Sequence, residues 1–450
     1  MLELSQRQAE LLFSLGSFTQ GDEMSEEILR KATTMSDKLP TYSTLANSLG
    51  RREQHEKAYR LCKDVLYQIR AFPKHFVAPK IATALVNVKK LLKKHTNAQI
   101  LELPVITDKE TLIKTQFLSE FGLRAFYTNR LPITLFCILS QIQLCFKSGL
   151  FPRAAQAFAA YGMIIADTFG DFLGASRMAE IARAILRVTE GVFMEPITLF
   201  TVASFIEAWD TPRNEVLDLL QNAMSSGILF GDFENAFRAR GTKLIYAYVA
   251  GYGLPKIEES AEDVCRLCIQ FEVEAIRVMV SPFHLLLECL VGKRSVDWEL
   301  IGTAPTFVTD NKDPSTTYRL YLFYLYRLQL AYYFGNFELA GEFIDKLEPY
   351  YKTDTTYTGT TMRVFFSGLT SFALMRLTRK AKHKKRSKRF LSEMEKMMKR
   401  GGKFMSQLWC DFFWLNNHMA LTLYCSRQKF DPKVSSDESG IFGFEIKAKI

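Results

Sequence analysis

The chain has 450 residues, 48% of them apolar and 24% charged. That length exceeds one ordinary compact domain, and that apolar content excludes global disorder. The formal charge of +10 is local: residues 376–403 hold thirteen Lys plus Arg against two acids, and the remainder holds 45 against 46, which excludes a uniformly cationic surface.

Sparse glycine and proline, with long stretches rich in Leu, Ala, Phe, Glu and Lys, predict helices. The opening "MLELSQRQAELLFSLGSF" is amphipathic and carries acids, unlike a secretory signal. Eight scattered cysteines suit a reducing compartment, so a cytoplasmic location is expected. The first helix hairpin is expected around Gly16 in "SLGSFTQGDEMSEEIL". A second unit, "TYSTLANSLGRREQHEKAYRLCKDVL", follows with Ala46, Leu49, Gly50, Ala58 and Tyr59. The segment "HTNAQILELPVITDKET" (95–111) breaks the pattern and reads as a connector. The longest uncharged run, 131–146, contains Gln141 and Gln143 and is shorter than the roughly 20 residues a membrane span needs.

From there a grammar recurs. Gly149, Phe151 and Ala154 are followed by Gly170, Asp171, Phe172 and Ala175, by Gly231, Asp232, Phe233 and Ala236, and by Gly335, Asn336, Phe337 and Ala340. In each, helical spacing stops at glycine and resumes after it. Glycine supplies the left-handed conformation that ends a helix. Asp or Asn caps the next helix, phenylalanine plugs the junction, and alanine permits close approach. In "KSGLFPRAAQAF", Pro152 fits a first helical turn. In "DTPRNEVLDLLQNAMSSG", Thr211 is expected to cap, with Pro212 as first helical residue. Such hairpins bury one face each and must stack, so the expected fold is all-α, a right-handed α-solenoid of divergent tetratricopeptide-like hairpins. The expected organisation is N-terminal helical repeats over 1–95, a connector over 96–110, the main array over 111–430 and an irregular tail over 431–450. A second connector (290–317) and a polar loop (350–359) interrupt the array.

The order of "ILELPVITDKETLIKTQFLSEFGLRAFYTNRLPITLFCILSQIQLCFKSG", "AAQAFAAYGMIIADTFGDFLGASRMAEIA" and "FIEAWDTPRNEVLDLLQNAMSSGILFGDFENAFRA", then "AYVAG", resembles the helical-repeat region of very large signalling proteins. In that family an AAA-type (STAND-like) ATPase module precedes the helices, with a kinase-like domain often upstream and sensory and histidine-kinase domains often following. The resemblance covers roughly residues 5 to 430. It implies an array that couples a signal to a neighbouring ATPase or kinase. It also implies that this chain starts mid-array, as a fragment, a split gene or a lineage without the enzymatic ends.

The motifs of those enzymes are not in this sequence. No G-x-x-x-x-G-K-[ST] loop occurs, "RGTKL" at 240–244 being a poor substitute, and no H-R-D or D-F-G set occurs. Cys265 and Cys268 form a C-x-x-C without a second ligand pair, so two buried cysteines on one helix face are expected rather than zinc. His55, His75, His95, His284, His383 and His418 show no ligand spacing. No catalytic residue, cofactor or metal is therefore expected.

The aromatic stretch "TYRLYLFYLYRLQLAYYFGNF" has helical spacing and reads as packing between helices rather than base stacking. In the basic segment, Leu377, Ala381, Phe390, Leu391, Met394, Met397 and Met398 permit one apolar side of a helix. Lys382, Lys384, Lys385, Arg386, Lys388 and Arg389 would spread round the other. It reads as a solvated helix of the array. Alternatives are a phosphate or acidic partner, the nuclear-import string "KKRSKR", an anionic membrane surface, or a calmodulin-type partner. The expected function is a non-enzymatic scaffold binding a peptide or neighbouring domain, an ATPase or kinase module among the candidates. Binding of nucleic acid or an anionic surface through 376–403 is the alternative.

Overall fold

The computed structural model describes residues 2–73, 78–209, 211–303, 314–351 and 357–399. The expected tail, residues 400–430, His75, His418 and parts of the 290–317 and 350–359 segments lie outside them. The described residues form helices and no strand, so the fold is all-α.

The helices come as sequential pairs: α1 (Leu2–Ser14) with α2 (Phe18–Lys31), and α3 (Met35–Arg51) with α4 (His55–Gln68). Then come α5 (Ala78–Lys94) and the short α6 (Asn97–Leu101), followed by α7 (Lys109–Tyr127) paired with α8 (Leu131–Ser148) and α9 (Ala154–Phe169) paired with α10 (Phe172–Val188). A 3₁₀ turn leads into α11 (Glu195–Thr201), which runs on through a π-helical turn, Val202–Ile206. The pairs resume with α12 (Arg213–Leu229) and α13 (Phe233–Val249), then α14 (Leu254–Gln270) and α15 (Glu274–Leu290). After the short α16 (Trp298–Gly302) come α17 (Pro314–Tyr333) with α18 (Phe337–Leu347) and α19 (Tyr357–Thr378) with α20 (Ala381–Lys399).

The repeated turn has one geometry. Gly170, Gly231 and Gly335 have φ of +65°, +71° and +75°. The next residue's N–H returns to a carbonyl five or six positions back: Asp232 to Gly227 and Asn336 to Ala331 span five, and Asp171 to Ile165 six. That Asp or Asn side chain then accepts from a backbone N–H three residues on, at 2.9, 3.2 and 3.3 Å. Phe337 packs edge-on to Tyr332 of its own hairpin, whereas Phe233 stacks toward Phe271 and Phe172 toward Trp209. Ala175, Ala236 and Ala340 are fully buried.

Five local readings need correction. Gly149 has φ +118° and ψ 177°, outside that geometry. It lies where the backbone meets the 95–111 segment: Leu150 N–H donates to Pro104 O (2.7 Å) and Ile106 N–H to Leu150 O (2.8 Å). Gly50 is inside α3, and Glu53 takes the left-handed conformation of that turn. Pro212 is itself the cap of α12, not its first residue. The inward side of α20 is His383, Ser387, Phe390, Met394 and Met397, while Leu377 and Ala381 are exposed. The middle of the first connector is helical: a Thr96–Gln99 capping box starts α6, and Arg177 binds Asn97, Leu92 O and His95 O.

The apolar interior is divided. One cluster joins α3, α4, α7 and the start of α8 around Leu66, Phe117 and Phe121. A second runs through α5, α8, α9 and α10. A third, small, lies among α13, α14 and α15, and the largest continues from α11 to α20.

Candidate functional site

The turn joining α3 to α4 is followed at once by His55, whose ring stacks on Tyr127 at the end of α7 (centroids 4.4 Å, 11°). Arg124, one turn earlier on α7, brings a guanidinium nitrogen 3.5 Å from His55 Nδ1. Its other nitrogen donates to Glu120 at 3.1 Å, and Arg153 approaches that carboxylate to 3.8 Å. With its amide turned to donate, Asn47 reaches both Glu120 oxygens at 3.0 and 3.1 Å. Gly50 leaves room for this group, because a Cβ there would lie 2.2 Å from the Arg124 guanidinium.

This N-terminal surface faces helices from much later in the chain. Arg319 of α17 pairs with Glu53, 266 residues away in sequence. Glu234 of α13 pairs with Arg238 one turn on, and both line the same space as His55 and Tyr127. The Glu272 carboxylate lies against the backbone of Gly16, where a Cβ would come within 2.5 Å of it. Between the two surfaces is a small, solvent-open pocket whose lining includes Val273, Ala275 and Met279.

The electrostatics cross the gap. Burial acts to raise the Glu234 carboxyl, but Arg238 and then Arg124 outweigh it and hold it below its ordinary value. Burial opposes the charge on Arg124, yet Glu120 and then Glu234 hold it above its ordinary value. The seam is thus a mixed-charge surface that orients acids and bases against each other. The sequence reading missed it entirely, since Glu53, His55, Arg238 and Arg319 are ordinary helix-surface residues until the chain folds back.

The basic residues singled out in sequence lie together on α20. Lys382, Lys385, Lys388 and Arg389 are exposed, and Lys384 and Arg386 are half-buried. Arg386 pairs with Asp345, and Arg389 with Glu348 at 2.7 Å. At helical spacing Lys382, Lys385, Arg389 and Lys396 fall on one stripe, away from Phe390, Met394 and Met397.

His383 is buried under this helix, and its Nδ1 meets no hydrogen-bond partner among the described residues. Burial, then Lys382, Arg386 and Lys380, push its pKa below the ordinary value, against a smaller pull from Asp345. A depressed histidine pKa means that the folded state binds fewer protons than the unfolded one. Its contribution to stability is full above about 6.5 and is lost as pH falls below that value. The denaturant midpoint should therefore drop on acidification from about pH 7.5, and His383→Gln should flatten that dependence.

Other candidate chemistry is quiet. Cys268 is buried and its thiol is pushed up to about 12 by burial; Cys265 is half-buried and shifted the same way. Both therefore stay protonated and unreactive. Among the described residues no three His, Cys, Asp or Glu side chains are grouped to hold a metal ion. Two helical stretches, Leu131–Ser148 and Val192–Trp209, are long and apolar enough to cross a membrane, with 33% and 61% of each buried within the fold. In the first, Gln141 donates to Cys137 O and Gln143 to Ala84 O.

No family model, curated protein or solved structure matches this chain.

Proposed function

We propose that the chain is a non-enzymatic helical-repeat scaffold, a right-handed α-solenoid of tetratricopeptide-like hairpins whose inner groove binds a protein segment or neighbouring domain. The observation that carries this is the mixed-charge seam: Glu53, Glu234, Arg238 and Arg319 surround a pocket between hairpins far apart in sequence. Surfaces presenting acids and bases in fixed positions select a partner by complementary charge and register. A segment carrying both signs of charge fits it best. The resemblance to ATPase-linked signalling proteins supports placing that partner in an ATPase or kinase module, and a cytoplasmic site of action.

The test is a photo-crosslinking residue at Tyr127 in the full chain. The partner it captures is then purified and titrated. Arg238→Glu and Arg238→Ala should each weaken binding about tenfold or more, on the scale of a desolvated charge pair. Crosslinking that yields no polypeptide, or binding indifferent to both changes, would refute the reading.

A second reading is favoured by the packing of α20. Phe390, Met394 and Met397 are consumed in the core, so the helix is not free to insert in a membrane or be gripped by its apolar side. What remains outward is the Lys382, Lys385 and Arg389 stripe, suited to a nucleic-acid backbone. Binding through it would weaken steeply with salt, because each phosphate contact releases a counterion. Lys382→Glu with Lys385→Glu would abolish it and leave groove binding unchanged.

A further inference from the structure

We propose that the seam is a latch: the N-terminal hairpins close over the later ones through ion pairs, and the groove opens by releasing those pairs while the helices stay folded. This rests on the groove reading above and adds how the groove is controlled.

The charges that meet at the seam come from opposite sides of it. Glu53, from the turn between α3 and α4, holds Arg319 of α17. On α7, Arg124 feels the field of Glu234 on α13. The pairing runs in both directions, acid to base and base to acid, so it fixes register as well as proximity.

Apolar packing contributes little there. The cluster around Phe117 and Phe121 stops on the N-terminal side, and those around Phe237 and Phe283 stop on the other. Among the described residues no apolar cluster contains members from both faces of the seam. Each side therefore keeps its own core when the two separate. What is lost on opening is Coulombic, and with the Arg319 and Glu53 side chains 12% and 26% exposed, salt weakens it in part.

The backbone gives an independent sign. Among the described residues, Gly16, Gly170, Gly231, Gly251, Gly292 and Gly335 take the left-handed region at the ends of helices. As Arg70, Asn129, Glu190 and Arg379 also do, Glu53 and Glu272 adopt it, at φ +59° and +54°, and an L side chain is strained there. These are the two seam turns whose carboxylates reach the opposite face, onto Arg319 and onto Gly16. Glycine would relieve each turn and remove the contact. At these two turns the strained residue is also the one that reaches across the seam.

The test uses the full chain with dyes on non-canonical residues at Leu15 and Ile269, which are exposed and flank the Gly16–Glu272 contact. Energy transfer is measured against salt, with helical circular dichroism recorded alongside. The latch predicts that transfer falls in 1 M salt, where screening acts over about 3 Å. It falls likewise in Glu53→Lys at low salt and returns in the swap Glu53→Arg with Arg319→Glu. Helicity is constant throughout. Glu53→Gly lowers transfer without lowering the thermal midpoint, a result that a merely structural Glu53 would not give. Should Glu53→Lys fail to fold, the wild-type salt titration and Glu53→Gly decide. Transfer that is indifferent to salt and to Glu53→Gly overturns the latch, as does a swap that fails to restore it. A latch that opens in this assay while the Tyr127 crosslinker captures no polypeptide would leave the latch standing and remove the scaffold function.

Discussion

Glu120→Ala is expected to destabilise the protein by about 3–5 kcal/mol, the scale for removing one partner of a buried ion pair. The Glu120 side chain is 9% exposed and that of Arg124 8%. One carboxylate serves Arg124, Arg153 and Asn47. Its loss leaves a buried guanidinium without its counter-charge, in a place that water reaches poorly. Arg124 also faces His55 and feels Glu234, so the damage extends to the seam. Glu120→Gln keeps the shape and loses the charge, and should fall between wild type and alanine. Urea denaturation with both variants checks this. A loss under about 1 kcal/mol for alanine would mean that the site is wetter than its burial indicates.

Gly149→Ala is the second large effect. At φ +118° and ψ 177° the backbone occupies a region essentially restricted to glycine, costing a side chain of order 1–3 kcal/mol. A Cβ would also lie 2.1 Å from Pro104 O, the acceptor of the Leu150 N–H. Rigid backbone cannot yield as a side chain would. Breaking that bond and its neighbour from Ile106 adds about 0.5–1.5 kcal/mol each. The expected total is about 3 kcal/mol or more. Gly231→Ala is the control: it meets nothing within 4 Å and carries only the left-handed penalty of about 1–2 kcal/mol. Thermal melts of the two variants should rank them in that order, and equal losses would contradict the account of Gly149.

These two sites mark where sequence reading succeeded and where it stopped. Helical spacing and the Gly-Asp/Asn-Phe turn gave the hairpins at Gly170, Gly231 and Gly335, because glycine's freedom and an Asx cap act locally. The turns at Glu53, Asn129, Glu190, Glu272 and Arg379 use the same left-handed backbone without glycine. Nothing local announces them, since tertiary contacts carry their cost. Gly149 has the letters of the repeated turn, but its conformation answers to Pro104, 45 positions upstream. On α20 the basic run hid the inward face: His383 and Ser387 look solvated in sequence yet lie buried with Phe390. The seam was illegible for a simpler reason. Pairing of Glu53 with Arg319 depends on how the thirteen intervening helices, α4 to α16, curve, and no periodicity within one helix encodes that.

Groove, seam and latch all depend on those two residues meeting. A double-mutant cycle of Glu53→Ala and Arg319→Ala, read by urea denaturation in low salt, tests it most directly. The structure predicts a coupling of about 0.5 kcal/mol or more that fades in 1 M salt. Losses that add to within about 0.3 kcal/mol would mean that the two hairpins do not touch, and the groove, the seam and the latch would go with them.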